Sequence, residues 1–506
     1  MKLIYPLQCS SSMGEVFMEN KSILERARKY EDNNIKNILK EEKQEFHLCA
    51  PIGWINDPNG FSTFKGEYHL FYQYHPYGTY WGPMHWGHSK SKDFIRWEQL
   101  PIAIAPDEKY DESGCFSGSA VEADGKHILM YTGVLEKVDN SGSKFVRQTQ
   151  CIAVGDGINY EKLDCNPVIT HEQLPEGSSK EDFRDPKIWK EGEWFYSVIA
   201  SRAADNSGQI LMYKSKDLKV WRLVTVLDKS ENKIGTMWEC PDFFELDKEH
   251  VLIISPMEVR ANEKGYHNGH NSIFITGNYN KENNVFERRT EELIDGGLDF
   301  YAPQTLETKD GRRIMIGWMQ TWENKIVPDE FKWCGMMTIP RELNLREGMV
   351  IQAPVRELSN YHKNTIKYEN IEVQDEISLD GISGRILDLT LEIDAKDSKE
   401  FIIRLAKDDE HETLINYNPI HNLLTFDRSY SGKLKNMIHK RDMRIKGSES
   451  KIKLRIVLDR YSAEIFINDG QQTMTSTFYT PLDAQNITFE SNGKSIINVE
   501  KHDIVL

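Results

Sequence analysis

The chain has 506 residues, a formal charge of −16, 39% hydrophobic and 28% charged residues. That length exceeds one ordinary domain, and an acidic balance with scattered Lys and Arg argues against nucleic-acid or anionic-membrane partners. No window approaches 18 consecutive apolar residues, so no transmembrane helix is expected. Seven cysteines outside any paired framework suit a reducing compartment, and cytoplasm is the expected location.

Met1-Lys-Leu-Ile-Tyr-Pro-Leu-Gln-Cys9 begins like a signal peptide, but Pro6 and Gln8 interrupt its apolar stretch, so retention is expected. Met13 and Met18 are alternative starts. Residues 1–44 are expected to form an N-terminal helical arm, with a charged, breaker-poor pattern from Lys21 to Glu42.

Between residues 45 and 345 five segments look alike: they begin at Lys65, Asp124, Glu191, Lys248 and Asp310, and each is a polar turn followed by an apolar strand. They recur about every 60 residues, a period just above that of propeller blades and unlike any helical repeat. A five-bladed β-propeller is expected. Ser91-Lys-Asp-Phe-Ile-Arg-Trp97 and Ser215-Lys-Asp-Leu-Lys-Val-Trp221 are near copies, with Gly155-Asp-Gly-Ile-Asn-Tyr160 midway, and read as blade-edge turns. Residues 346–367 read as a linker with a short helix within Pro354 to Lys363. Residues 368–506 alternate in short strands with turns such as Asn468-Asp-Gly470, which suggests a β-sandwich. The fold class is all-β.

A few residues before each repeated turn stand Asp57, Ser117, Asp185, Glu239 and Tyr301. Blades surround a central channel, so equivalent inner positions converge and three carboxylates face one another. Close packing raises the pKa of whichever carboxyl ionises less easily. Glycosidic cleavage needs such a cast: a carboxylate at the anomeric carbon and a carboxylic acid to protonate the leaving oxygen. Glu239, beside Trp238, is the expected acid. Asp57, in the rigid Asn56-Asp-Pro-Asn-Gly60 turn, is the expected nucleophile, and Asp185, after Arg184, binds hydroxyls. Trp54, Trp81, Trp86, Phe116 and Tyr301 supply stacking surface for sugar faces. Each turn taken singly has a plain structural explanation; their similar placement in the blades carries the functional one. His85 and His88 lie in a loop or strand pattern, so no metal is expected, and Cys240 reads as a packed neighbour of Glu239. No phosphate-binding or dinucleotide-binding glycine pattern occurs, so no cofactor is expected.

These motifs resemble glycoside hydrolase family 32, the invertases, fructan hydrolases and sucrose-6-phosphate hydrolases. The resemblance rests on Trp54-Ile-Asn-Asp-Pro-Asn-Gly60, Phe183-Arg-Asp-Pro186 and Trp238-Glu-Cys-Pro241. It implies Asp57 as nucleophile, Asp185 as transition-state stabiliser and Glu239 as acid/base, in a retaining mechanism. It also implies a fructose subsite that includes Gln73, Trp81, Phe116, Ser117 and Tyr301; Asn56 and Arg184 complete the candidate set. The partner is then a small sugar, sucrose or sucrose 6-phosphate ahead of polymeric fructans. Open alternatives are a fructo-oligosaccharide hydrolase or fructosyltransferase, an inverting glycosidase on the same scaffold, and a non-catalytic sugar-binding propeller. Homo-oligomer formation is left open.

Overall fold

The structure is a computed structural model that describes residues 22–138, 142–433, 435–447 and 450–506. The signal-like start and the alternative initiators Met13 and Met18 lie outside the described residues.

Helix α1, Ile23–Asn34, opens on a capping box: the Ser22 hydroxyl accepts from the Glu25 N–H while the Glu25 carboxylate accepts from the Ser22 N–H. The expected helix to Glu42 is not continuous. It gives way at Asn33-Asn34, residues with low helix propensity, to short 3-10 turns at Ile35–Asn37 and Lys40–Glu42. The helix is fastened to the first blade by Arg28, whose Nε donates to the Ile102 carbonyl at 2.8 Å.

Five antiparallel sheets follow among the described residues. Their innermost strands are Gly53–Phe64, Gly114–Ala123, Phe183–Glu191, Met237–Leu246 and Tyr301–Glu307, and each hairpins into a nearly all-buried second strand. The repeated polar turns are these hairpins. Positive φ at Lys65-Gly66 and Asp124-Gly125 supplies the left-handed pair that a tight turn between twisted strands requires. The near-copy motifs join third to fourth strands: Asp93, Asp156 and Asp217 each accept from two backbone N–H groups just downstream, and Asn280 does the same in the fourth blade. The ring closes where Trp333–Cys334 pairs in parallel with Gly53-Trp54.

The fifth blade runs further than the expected boundary at 345. Its outer strand, Met349–Pro354, lies in the stretch read as linker, yet its apolar Met349-Val-Ile351 run pairs with Arg341–Arg346 across a tight turn at Glu347-Gly348. A 3-10 helix, Arg356–Tyr361, then leads straight into the first sandwich strand, His362–Val373.

Strand Leu387–Lys407 crosses between the two sandwich sheets. Its first part pairs with Lys451–Asp459 and its last part with Glu412–Asn418, with irregular register between Asp394 and Phe401. Leu387, Leu389, Leu391 and Ile393, then Phe401, Ile403 and Leu405, all point into one buried core, the period-2 pattern of a strand with one face inward.

The domains are joined by buried charge. Arg341, on the fifth blade, donates to Glu464 at 2.5 Å and to Asp295 at 3.1 Å, while His47 lies between Asp459 at 2.8 Å and Glu464 at 2.9 Å. All five are fully or almost fully buried. Residues 296–299 run along strand Gln472–Thr477: Gly296 N–H donates to Thr473 and Asp299 N–H to Thr475. Gly297 is required there, since a Cβ would lie 2.1 Å from the Thr475 carbonyl oxygen. Burial opposes a charge on His47, but its bonds to Asp459 and Glu464 outweigh burial and lift its pKa to about 9.

Truncating Arg341 strands two buried carboxylates, so Arg341→Ala is expected to cost about 3–5 kcal/mol in thermal or denaturant unfolding. For His47 the folded pKa lies above the unfolded one. Its stabilisation is therefore fully present below the ordinary imidazole pKa of about 6.5 and is lost as pH rises through about 9. Unfolding followed between pH 6 and 10 should show that loss in the wild type and not in His47→Gln.

Candidate active site

All five innermost strands bulge at the same level. The register slips by one residue at 56–57, 117, 185–186, 240–241 and 302–303. The sequence causes are Asp57-Pro58, Asp185-Pro186, Cys240-Pro241 and Ala302-Pro303, whose prolines bring no N–H to the ladder, and Ser117-Gly118 in the second blade. Asp185, Cys240 and Ala302 also take positive φ, a strain tolerated where the surroundings enforce it. In a regular strand neighbouring side chains face opposite ways. Here Asn56 and Asp57, Phe116 and Ser117, and Arg184 and Asp185 line the same cavity, of about 590 Å³.

The equivalence expected across the blades needs correction. Asp57, Ser117 and Asp185 sit at the bulge, but their counterparts in the last two blades are Cys240 and Ala302. Glu239 and Tyr301 occupy the preceding position, alongside Asn56, Phe116 and Arg184. Two tiers of side chains therefore build the site.

A third tier closes the channel beneath them. Lys187 Nζ lies 2.8 Å from Asp242 and donates to the Thr305 carbonyl, Asp242 accepts from the Thr305 N–H at 2.7 Å, and Gln304 donates to the Gly118 carbonyl at 2.7 Å. Ser119 donates to the Pro186 carbonyl at 2.7 Å. Every one of these bonds links different blades, so the floor that blocks the channel also ties the ring.

The structure brings the three predicted carboxylates together. Ser117 Oγ donates to Asp57 Oδ2 at 2.7 Å, and Asp57 Oδ1 is buried with no hydrogen-bond partner among the described residues. Ser117 pins one oxygen and so fixes the orientation of the carboxylate, as a positioned nucleophile requires. The Cys240 backbone N–H donates to Asp185 Oδ2 at 3.0 Å, while its thiol lies 3.7 Å from Asp57 and 3.8 Å from Asp185. Cys240 is thus the spacer between the aspartates. Glu239 accepts from Arg184 Nε at 3.0 Å on Oε1, with Arg184 Nη2 2.9 Å away, and from the Tyr301 hydroxyl at 2.7 Å on Oε2.

Burial, then the charge of Glu239, lifts Asp57 to about 6 against the Ser117 hydrogen bond. Burial and Glu239 likewise lift Asp185 to about 7, with the Arg184 guanidinium opposing.

Trp81, half-exposed, and Phe116 line the cavity and meet edge to face at 5.6 Å. Gln73 lines it too, its amide fixed by the Cys115 carbonyl. Three aromatic expectations need revision. Trp54 is buried and its indole N–H holds the Asn56 side chain; Trp86 is fully buried and donates to the Phe116 carbonyl; Tyr301 is fully buried and spends its hydroxyl on Glu239. They support the site and offer it no free ring face. His85 and His88 lie on strand His85–Ser91, three residues apart and so on opposite faces.

Several wall residues carried no sequence signal: Gln148, Asp182, Arg202, His270 and Trp322. They come from outer strands and loops, where residue type alone does not reveal direction. Arg202 pairs with Asp182, which also takes Arg184 at 3.1 Å.

A pocket lined by three converging carboxylates and aromatic rings is the arrangement that glycosidic cleavage calls for. Known proteins agree. The model of the glycosyl hydrolases family 32 N-terminal domain matches residues 47–354, and that of the family 32 C-terminal domain matches residues 357–504. The chain is 36% identical to a raffinose invertase of Escherichia coli, over 89% of this chain and 93% of that one. It is 33% identical to a sucrose-6-phosphate hydrolase of Bacillus subtilis, over 94% and 97%. Among solved structures, a Bombyx mori family 32 β-fructofuranosidase in complex with sucrose superposes with a TM-score of 0.82 at 30% identity, covering 96% and 99%. The chain belongs to glycoside hydrolase family 32.

Because Asp57 has a folded pKa near 6, above its value in the unfolded chain, ionising it above that pH works against folding. Asp57→Asn removes that charge and should raise stability at pH 7.5 by about 1–3 kcal/mol, read as a higher Tm. The gain should vanish near pH 4, where the wild-type carboxyl is protonated.

Proposed function

We propose that the protein releases the terminal fructose of sucrose or sucrose 6-phosphate through a covalent fructosyl-enzyme intermediate. The observation that carries this reading is Asp57: a carboxylate held in one orientation by Ser117, lining a pocket shared with Glu239 and Asp185. In the first step Asp57 attacks the anomeric carbon of the fructosyl unit, and Glu239 gives its proton to the departing oxygen. In the second, Glu239 takes a proton from water, which displaces Asp57. Asp185, oriented by the Cys240 N–H, holds fructosyl hydroxyls as positive charge develops at the ring. The Asp57 carboxylate must be ionised to attack, so activity of the free enzyme should fall as pH drops through about 6.

The floor formed by Lys187, Asp242 and Gln304 supports release of one terminal unit over cleavage within a polymer. Relatives named for sucrose 6-phosphate and for raffinose support a β-fructoside as substrate. The basic side chains lining the cavity, Arg184, Arg202 and His270, are each already engaged by a carboxylate. That arrangement supports a leaving-group site without a dedicated phosphate clamp.

Two measurements on the purified protein test this. Proton NMR of the first product should show β-fructofuranose, hence retention; the α anomer would mean inversion. kcat/KM on sucrose and on sucrose 6-phosphate should agree within about tenfold, equivalent to about 1.4 kcal/mol of transition-state binding. A larger preference for the phosphorylated sugar would contradict the charge argument, and no cleavage of either would contradict the function.

A further inference from the structure

We propose that the protein binds a neutral mono- or disaccharide at a second, non-catalytic site on the far side of the channel floor. Lys187, Asp242 and Thr305, which belong to that floor, also line a cavity of about 600 Å³ that shares no lining residue with the catalytic one. Its wall is built from the later parts of all five innermost strands, at 61–63, 120–122, 187–191, 242–245 and 305–307. Its volume matches that of the catalytic cavity and lies in the range of small-molecule sites.

Four lining residues, from the first, fourth and fifth blades, carry a buried polar atom with no hydrogen-bond partner among the described residues: Thr63 Oγ1, Asp242 Oδ1, His250 Nδ1 and Arg313 Nε. Asp242 is fully buried, and Lys187 lies 2.8 Å from its other oxygen. Arg313 sits over the Phe244 ring at 4.5 Å and donates from Nη2 to Glu307 at 3.0 Å, which leaves Nε for another acceptor. Lys187, Asp242 and Arg313 act on one another: burial lowers the Lys187 pKa, Asp242 opposes that and the Arg313 charge adds to it. Buried polar atoms without partners cost stability unless a ligand completes them.

The charges of the cavity decide the class of ligand. Lys187 is matched by Asp242 at 2.8 Å, Arg313 by Glu307 at 3.0 Å and Lys281 by Glu191 at 2.6 Å. An anion would meet the carboxylates and a cation the basic groups, so neither gains from a cavity already balanced. A sugar hydroxyl both donates and accepts and brings no charge, so one ligand can donate to Asp242 Oδ1 and accept from Arg313 Nε. Trp189, partly exposed and stacked on Tyr196 at 5.6 Å with 17° between the planes, adds aromatic surface to the same wall. Aromatic surface beside charged hydrogen-bonding groups suits the two faces of a sugar, one apolar and one hydroxylated.

The test is fluorine NMR of the full chain labelled with fluorotryptophan and titrated with D-fructose. Trp189 reports on the far cavity and Trp81 on the catalytic one, each resonance assigned from its variant, Trp189→Phe or Trp81→Phe. Both resonances should shift along saturable curves with separate midpoints. Arg313→Met should raise the Trp189 midpoint about tenfold or more, the range of a lost hydrogen bond from a charged donor, and leave the Trp81 curve and kcat/KM on sucrose within about twofold of the wild type. Thr63→Val, which exchanges a hydroxyl for a methyl, should raise the same midpoint and serves if Arg313→Met fails to fold. A Trp189 resonance that does not saturate with fructose, or a midpoint unmoved in both variants, would overturn the site. A Trp189 resonance that responds to inorganic phosphate and not to fructose would overturn the ligand class. If Trp189 saturates and Trp81 does not, this site stands and the proposed function fails.

Discussion

Asp57, Asp185 and Glu239 repel one another within one buried pocket, and Arg184 is the cation placed among them. Its guanidinium reaches Glu239 at 2.9 Å and Asp182 at 3.1 Å, and it lies 4.0 Å from Asp185. Without it, burial of three like charges would keep the pocket protonated beyond use. Even with it, Asp57 and Asp185 are held well above the ordinary aspartate range. That residual tension costs the folded state and is the condition for having nucleophile and proton donor side by side.

The backbone answers the same constraint. Carboxylates that must converge cannot come from neighbouring residues of regular strands, which alternate faces. The ring of inner strands solves this with one bulge per blade at one level, so that each blade turns a consecutive pair of residues to the channel or to its immediate support. Cys240 is informative here. It occupies the position that aspartate fills in two other blades, and a thiol whose pKa burial pushes well above its ordinary value adds no further negative charge between Asp57 and Asp185.

Much of this was legible in the chain before its structure. The polar turns about 60 residues apart mark the hairpins and the alternating apolar residues from Leu387 to Leu405 mark a sandwich core, whereas Asp57-Pro58 and Asp185-Pro186, which read as turns, lie inside strands and form bulges there. What escaped the sequence depends on partners distant along it. Nothing near Arg341 announces Glu464, 123 residues away, and nothing near His270 announces Glu323, 53 residues away. Aromatic residues mislead for a related reason: Trp54, Trp86 and Tyr301 neighbour the motifs, but their N–H and O–H groups are consumed in holding Asn56, the Phe116 carbonyl and Glu239. Composition marks a residue as suited to a sugar; only packing decides whether its face is free.

The central claim is that Asp57, and not Asp185, takes up the fructosyl group. A Glu239→Gln variant treated with β-fructosyl fluoride should accumulate the intermediate, since the fluoride leaves without acid help while the second step lacks its base. Digestion and mass spectrometry should then find one anhydrofructosyl unit on the peptide that carries Asp57. An adduct on the peptide that carries Asp185, or full turnover with no adduct at either residue, would contradict the account.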